Sequence, residues 1–388
     1  MASSKPLCIS ADSHVVESAE FFQPLQKRFG EKAPRMVTVD PNKGPQLDLG
    51  NGQLGIGLSG FFMADVDFTR PDIVELYRKG YDLARPGCYD VAERLKDQEL
   101  DGVDAEVLYP SVLFNVYQID NLDIVKATFS LYNDWTADYC SDAKDRLFGL
   151  ACVQLFDLDE AIQEMERSKK LGHVGLCIPA TAPPDKLYSD PYYDRFWAAA
   201  EAMQMPLTMH IFTGATPNHG LPFRQAGSPL AFAGVMFTIA DLIQGQVLQR
   251  FPGLKFVITE FESGWAGIML KRLDWNWTRG NLWKQGLREK PSFYWKRNFY
   301  VTFEDDALGI RQRDVIGSNT LMWGSDYPHG DSVFPHSKDV LASVLAECTA
   351  QERWEMTVKN VVELYNLPFQ LAGPEQARVN QALAKVAA

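Results

Sequence analysis

The chain has 388 residues, of which 46% are hydrophobic, so it can bury the core of one large domain or of two smaller ones. It carries 38 basic and 50 acidic side chains, a formal charge of −12, without a lysine- or arginine-rich run, and this excludes nucleic acid as an expected partner. The N-terminal residues lack an apolar stretch of signal-peptide length, and no later segment approaches a membrane span. We therefore expect a cytoplasmic protein with no membrane partner.

Short apolar runs bounded by turn signals recur along the chain, and most are separated by amphipathic stretches long enough for a crossover helix. Their continuous apolar character predicts strands that are buried on both faces, which favours a closed parallel barrel over an open sheet. We predict an α/β fold, a (β/α)8 TIM barrel formed by a single domain over residues 1–388. Residues 20–100, rich in Pro, Gly and Asp, are expected to form an insertion after strand one that lies over the barrel mouth. The predicted strands lie near residues 7–11, 105–109, 148–153, 174–178, 206–211, 255–260, 298–303 and 320–325.

The first predicted strand ends in D-S-H, with Asp12 and His14 one residue apart. Because side chains alternate along a strand, both point to the same side, where one ion can take a ligand from each. The spacing alone is equally consistent with Asp12 capping a turn and His14 bonded locally. Glu17 follows closely and is a candidate ligand for a second ion or for the substrate.

The fifth and sixth predicted strands also end in titratable side chains. His210 ends the run PLTMHIF, where a hydrogen-bonded core histidine is the ordinary alternative. Glu260 ends KFVITE, and a carboxylate after an apolar run is costly to bury unless a cation or a partner neutralises it. Glu262 has the same strand parity and competes for that role.

The last predicted strand leads into G-S-D-Y-P-H, which places Asp326 at the strand end and His329 in the turn that follows. An Asx turn at Asp326 is the structural alternative. His329 and, further on, His336 are candidates for substrate or second-ion contact, although His336 equally suits a helix start. These weak signals gain weight together, because each falls at the C-terminal end of a predicted barrel strand, where barrel enzymes build their active sites.

The ordered set resembles the amidohydrolase superfamily, in particular its amidohydrolase-2 branch of aminocarboxymuconate-semialdehyde decarboxylase-like metal-dependent hydrolases. The resemblance implies a metal held by Asp12, His14, His210 and Asp326, and it implies a homodimer. The branch usually has His-x-His on strand one and a histidine on strand six, whereas this chain has Asp12 and Glu260. Adding Glu260 to the ligand set therefore gives an unusually acidic site.

Three formal negative charges exceed what one divalent cation neutralises, and oxygen-rich ligation shifts preference from zinc towards manganese or iron. We expect one or two divalent ions per chain, zinc, manganese or iron, the second being held with help from Glu17, Glu262, His329 or His336. Asp326 and His210 are the expected catalytic residues, with Asp326 as general base.

Three functions fit such a site. We rank hydrolysis of a small organic substrate by metal-bound hydroxide first, and non-oxidative decarboxylation of an aromatic or unsaturated acid second. A binuclear iron or manganese oxygenase, or a non-catalytic metal-binding subunit, is the third. Aromatic side chains near the strand ends predict an apolar or aromatic small-molecule substrate.

Overall fold

The structure is a computed structural model that describes residues 7–50, 52–214 and 230–371. Eight strands, the first and the last seven in the chain, pair in parallel in sequence order, and the three short strands between them form a separate antiparallel sheet. All eight parallel strands overlap the predicted ones, which confirms the TIM barrel. The strands are β1 (Ile9–His14), β2 (Arg35–Val37), β3 (Gln46–Asp48), β4 (Leu54–Gly57), β5 (Ala105–Tyr109), β6 (Leu147–Cys152), β7 (Gly175–Ile178), β8 (Leu207–His210), β9 (Phe256–Thr259), β10 (Phe299–Phe303) and β11 (Leu321–Trp323).

Helices follow most barrel strands and cover the outside of the barrel. The amphipathic stretches after β5, β6 and β7 form the helices Leu122–Ser141, Leu158–Leu171 and Asp194–Met203. Among the described residues, no helix has both the length and the apolar character of a membrane span. The α-helices are α1 (Gln23–Phe29), α2 (Ile73–Lys79), α3 (Val91–Asp101), α4 (Leu122–Ser141), α5 (Leu158–Leu171), α6 (Asp194–Met203), α7 (Phe232–Gln244), α8 (Val247–Arg250), α9 (Ala266–Arg279), α10 (Pro291–Asn298), α11 (Ala307–Arg311), α12 (Arg313–Ile316), α13 (Ser337–Val344), α14 (Ala350–Trp354) and α15 (Asn360–Tyr365).

The barrel closes between its first and last strands by isolated backbone hydrogen bonds. The Asp326 amide donates to the Asp12 carbonyl at 2.9 Å, and the His14 amide donates to the Tyr327 carbonyl at 2.7 Å. Gly324 permits this approach, because a Cβ at its position would lie 2.4 Å from the Asp12 Cβ. The closure therefore brings the ends of β1 and β11, and their polar side chains, side by side.

The chain between β1 and β5 contains the antiparallel sheet and helices α1 to α3. Part of it touches the turn after β11: the Gly330 amide donates to the Gly60 carbonyl at 2.6 Å, and the rings of Phe61 and His329 lie 5.0 Å apart. The insertion boundaries at 20–100 and the single domain over 1–388 stay predictions.

Candidate metal centre

Six side chains with metal-binding atoms meet at the C-terminal end of the barrel. Asp12 and His14 come from β1 and His210 from the last residue of β8, whereas the other three follow a strand. All six are buried except Glu260, whose side chain is 15% exposed. The donor atoms form two groups that share His14, and in each group all atoms lie within 4.8 Å of one another. The members are Asp12, His14 and His210 in one group and His14, Glu260, Asp326 and His329 in the other.

The distances between donor atoms suit a shared cation. His14 Nε2 lies 3.5 Å from Asp12 Oδ1, 3.3 Å from Asp326 Oδ1 and 3.7 Å from Glu260 Oε2. His210 Nε2 lies 3.1 Å from Glu260 Oε2 and 3.3 Å from His14 Nε2. Two donors that bind one ion at about 2.1 Å must lie within about 4.2 Å of each other, and all these pairs do.

Backbone carbonyls fix the orientation of two of the imidazoles. His14 donates from Nδ1 to the Pro110 carbonyl at 2.8 Å, and His210 donates from Nδ1 to the Ile211 carbonyl at 2.9 Å. In the neutral tautomers that these bonds select, Nε2 carries the lone pair and faces the carboxylates. This is the arrangement by which outer-shell groups orient metal-binding histidines.

The carboxylates of the cluster have buried oxygens that no hydrogen bond satisfies: Asp12 Oδ1, Glu260 Oε2 and both oxygens of Asp326. Buried polar atoms of this kind are costly, and a cation between them would supply the missing interactions. Burial raises the pKa of Asp326 to about 6, although His14 opposes the shift. Burial would also raise the pKa of Asp12, but contacts with His14 and His210 hold it below its usual range. The residues present therefore fit a divalent cation.

The backbone is strained where these side chains enter the site. Phe212, Glu260, Glu262 and Asp326 have φ angles of 68°, 61°, 52° and 56°, in the left-handed region that non-glycine residues seldom adopt. Strain of this kind persists only where the surrounding structure enforces it, and it clusters at functional sites. Because the backbone after β9 is left-handed at Glu260 and Glu262, the two side chains lie in different places although their strand parity is the same. Glu260 contacts the imidazoles, and Glu262 lies exposed at the rim.

His329 is the predicted second-ion or substrate residue that the structure brings into the cluster. Its Nδ1 lies 2.8 Å from Asp326 Oδ1 and 4.0 Å from Glu260 Oε2. Its Nε2 lies 2.9 Å from the Ser111 hydroxyl, which itself donates to the Val15 carbonyl at 2.8 Å, so the hydroxyl accepts the Nε2 proton. This contact turns Nδ1 towards the carboxylates.

The other three candidates for that role lie elsewhere. The buried Glu17 carboxylate accepts the amides of Ser111 and Val112 at 3.3 and 2.8 Å, so it anchors the loop after β5. Glu262 is exposed at the rim and accepts the Glu304 amide at 3.4 Å. His336 is exposed at the start of α13 and makes no capping hydrogen bond with its side chain. A second ion stays a prediction, and its nearest candidate ligand is His329.

Sequence reasoning missed a buried ion pair behind the cluster. Arg94, fully buried on α3, donates to both oxygens of Glu106 at 2.7 and 3.1 Å and to the His14 carbonyl at 2.5 Å. Its guanidinium also lies 4.7 Å from the ring centre of Tyr327, next to Asp326. Arg94 thus contacts both strand ends that meet at the barrel closure. The signal for it is a stripe of polar residues at helical spacing on α3, all of them buried: Arg94, Asp97, Gln98 and Asp101.

A cavity of about 670 Å³ opens beside Glu260. One part of its wall is apolar, with four large aromatic side chains, Phe212, Phe232, Phe261 and Trp265. Another part carries acidic side chains from the loops after β9 and β10. The volume suits a small organic ligand, and the aromatic side chains suit a flat one.

Comparison with known proteins identifies relatives. A family model described as amidohydrolase matches residues 89–367. A gamma-resorcylate decarboxylase of Rhodococcus jostii is 29% identical over 218 residues, which cover 50% of this chain and 64% of that protein. The match therefore spans less than two thirds of the relative's length.

Solved structures share the fold over nearly the whole chain at low identity. An amidohydrolase from Mycobacterium avium subsp. paratuberculosis has a TM-score of 0.75 at 17% identity, covering 94% of this chain and all of that one. The 5-carboxyvanillate decarboxylase of Sphingomonas paucimobilis has a TM-score of 0.66 at 22% identity, with 94% and 100% covered. A dihydroxybenzoic acid decarboxylase of Polaromonas with bound manganese and an inhibitor has a TM-score of 0.64 at 18% identity, with 94% and 98% covered.

Proposed function

The chain belongs to the amidohydrolase family, and on that premise we propose that it is a metal-dependent decarboxylase of small aromatic acids. The reaction breaks the bond between the ring carbon and the carboxylate, releases carbon dioxide and puts a proton in its place. The observation that carries this proposal is the buried cluster of imidazole nitrogens and unpartnered carboxylate oxygens beside an aromatic-walled cavity. The decarboxylases among the relatives support the choice of reaction.

We assign the cation to Asp12, His14, His210, Glu260 and Asp326, whose donor atoms face one another. A divalent ion such as manganese would supply a Lewis acid that binds the oxygens of the substrate. The carbonyls of Pro110 and Ile211 hold the two imidazoles in place beforehand, so little reorganisation is needed when the ion binds.

The cavity walls orient the substrate. Phe212, Phe261 and Trp265 provide aromatic surface for the substrate ring. Glu260 belongs both to the cavity wall and to the metal cluster, so we place the carboxylate of the substrate beside it. Holding the ring against these side chains fixes the carbon that loses carbon dioxide relative to the cluster, which lowers the entropic cost of reaction.

The ring carbon takes a proton when carbon dioxide leaves, and we assign its delivery to Asp326 in its protonated form. Asp326 is then ionised and regains a proton from water before the next turnover. No hydrogen bond satisfies either buried Asp326 oxygen. Oδ1 faces His14 and His329 at 3.3 and 2.8 Å, so Oδ2 is the oxygen available to a substrate atom. His329 lies against Asp326, and its contact with Ser111 keeps Nδ1 on that side. We assign His210 to holding the ion beside Glu260, with no part in the proton transfer.

The test uses manganese-loaded protein and 2,6-dihydroxybenzoate, with carbon dioxide release as the readout. We expect release that disappears after treatment with a chelator and returns with manganese. Absence of release from a series of hydroxybenzoates, with manganese, zinc or iron present, would reject decarboxylation. Hydrolysis, which the sequence ranks first, stays a prediction and would then be tested on esters and amides; oxygen uptake by iron-loaded protein would indicate the oxygenase.

A further inference from the structure

We infer that Thr302 is a positioning residue of the metal cluster, whose hydroxyl group fixes both the Asp12 carboxylate and the backbone that carries Glu260. The inference rests on the cation site of the proposed function, although not on the reaction assigned to it. Thr302 is the next-to-last residue of β10 and is 1% exposed. It supplies no metal-binding atom itself, so it would act only through its neighbours.

The hydrogen bonds of the Thr302 hydroxyl have only one possible direction. The Glu260 amide lies 3.0 Å from Thr302 Oγ1 and can only donate, so the hydroxyl oxygen accepts this bond. The hydroxyl proton is then free for Asp12 Oδ2, 3.3 Å away, which accepts it when the carboxylate is ionised. One hydroxyl group therefore contacts two of the assigned ligand residues at once.

The contact with Asp12 gives its two oxygens different roles. Oδ2 accepts from Thr302, whereas Oδ1 is buried without a hydrogen-bond partner. Oδ1 lies 3.5 Å from His14 Nε2 and 3.7 Å from His210 Nε2. Because one oxygen is held, the carboxylate cannot rotate freely, and the other oxygen stays directed towards the two imidazoles. Thr302 thus keeps the lone pairs of Oδ1 available for a cation.

The contact with Glu260 supports a backbone conformation that needs support. Glu260 follows β9 directly and has a φ angle of 61°, which a residue with a side chain seldom adopts. The bond from its amide to Thr302 holds this conformation, in which Glu260 Oε2 lies 3.1 Å from His210 Nε2. Without the hydroxyl, the buried amide would lose this partner and the direction of the Glu260 side chain would be less fixed.

The position of Thr302 in the barrel explains how it reaches both ligands. Asp12 and Glu260 come from segments that are not neighbours, because β10 and β11 lie between β9 and β1. Thr302 lies on β10, next to β9, and its hydroxyl reaches past β11 to the end of β1. A β-branched side chain suits this role, because its restricted χ1 angle keeps the hydroxyl in place.

The experiment measures manganese affinity by competition with a chelator and records the electron paramagnetic resonance spectrum of the bound ion. Thr302→Val keeps the shape of the side chain without its hydroxyl. We expect its manganese affinity to fall by about 10–100-fold and its spectrum to change, because two ligands lose their orientation. Thr302→Ser restores the hydroxyl and should recover most of the affinity and the wild-type spectrum.

Thr208→Val is the matched control, because it removes another buried barrel hydroxyl. The Thr208 hydroxyl donates to the Leu176 carbonyl at 3.1 Å and lies 3.3 Å from Cys177 Sγ, and neither residue is an assigned ligand. Manganese affinity and the spectrum should therefore stay at their wild-type values in this variant.

Wild-type affinity and spectrum in Thr302→Val would overturn the inference. An equal loss in Thr302→Ser or in Thr208→Val would do the same, because packing rather than the Thr302 hydroxyl would then be the cause. If Thr302→Val does not fold, Thr302→Ala replaces it, with the same loss expected relative to Thr302→Ser.

The proposed function fails separately. The expected losses of manganese binding without any carbon dioxide release by the wild type would reject decarboxylation alone. Carbon dioxide release by the wild type together with normal manganese binding in Thr302→Val would reject the positioning role alone. A wild-type protein that binds no manganese, zinc or iron would reject the cation site and this inference together.

Discussion

Replacing Arg94 by methionine is the change that most directly tests how the metal centre is held. The variant removes two hydrogen bonds to Glu106 and one to the His14 carbonyl. Among the described residues, it leaves the buried Glu106 carboxylate with only the Gln98 amide group as partner. Breaking a buried ion pair in this way costs about 3–5 kcal/mol of unfolding free energy. Loss of the contact that fixes His14 should also weaken manganese binding by about 10–100-fold.

A second variant separates these two effects. The double variant Arg94→Met, Glu106→Gln also removes the unpaired Glu106 carboxylate. We therefore expect its unfolding free energy in urea titrations to return most of the way to the wild-type value. The His14 carbonyl still lacks its donor, and manganese affinity, measured by competition with a chelator, should stay low. If the double variant binds manganese as tightly as the wild type, Arg94 does not position His14 and the reasoning is refuted.

Four further predictions follow from single sites. Asp326→Asn should keep the fold and abolish carbon dioxide release, and an active, metal-loaded variant would contradict the assignment. Gly324→Ala should destabilise the protein by roughly 3 kcal/mol or more and weaken metal binding, because the new methyl group overlaps Asp12; thermal unfolding and metal analysis test this. Burial lowers the pKa of His173 to about 4, so the unfolded chain takes up a proton that the folded one refuses. Stability should therefore be complete above about pH 6.5 and fall by about 3 kcal/mol towards pH 4, and His173→Gln should remove that part of the pH dependence in urea titrations. If a second ion binds, metal analysis of manganese-loaded protein should find two equivalents, falling to one in His329→Ala; one equivalent in the wild type would count against it.

The barrel could be predicted from the sequence because its strands are continuously apolar and end in polar side chains. That pattern put Asp12, His14, His210 and Asp326 at strand ends, and the structure brings their side chains together. Whether they bind a metal stays a prediction. The choice between Glu260 and Glu262 could not be made from strand parity. It depends on two left-handed residues after β9, a conformation that tertiary contacts impose and that composition does not reveal.

The buried ion pair could not be predicted for a different reason. On α3 the charged residues occupy one face at helical spacing, and sequence patterns normally assign such a face to solvent. Here the face is covered, and Arg94 is paired with a glutamate from β5. The three-stranded antiparallel sheet was missed because its strands are three or four residues long, too short to show an alternating pattern.

The closure of the barrel gives the proposed cation a mechanical role as well as a chemical one. Seven of the eight strand junctions are parallel ladders, one of them with a register shift between Ser10 and Ser13, whereas the eighth is held by isolated backbone bonds between the segments that carry Asp12, His14 and Asp326. A cation bound by these side chains would link β1 to the segment after β11, across the one junction of the described barrel that has no ladder. Loss of the ion would then weaken this junction before the others, so metal release and the separation of β1 from β11 would occur together.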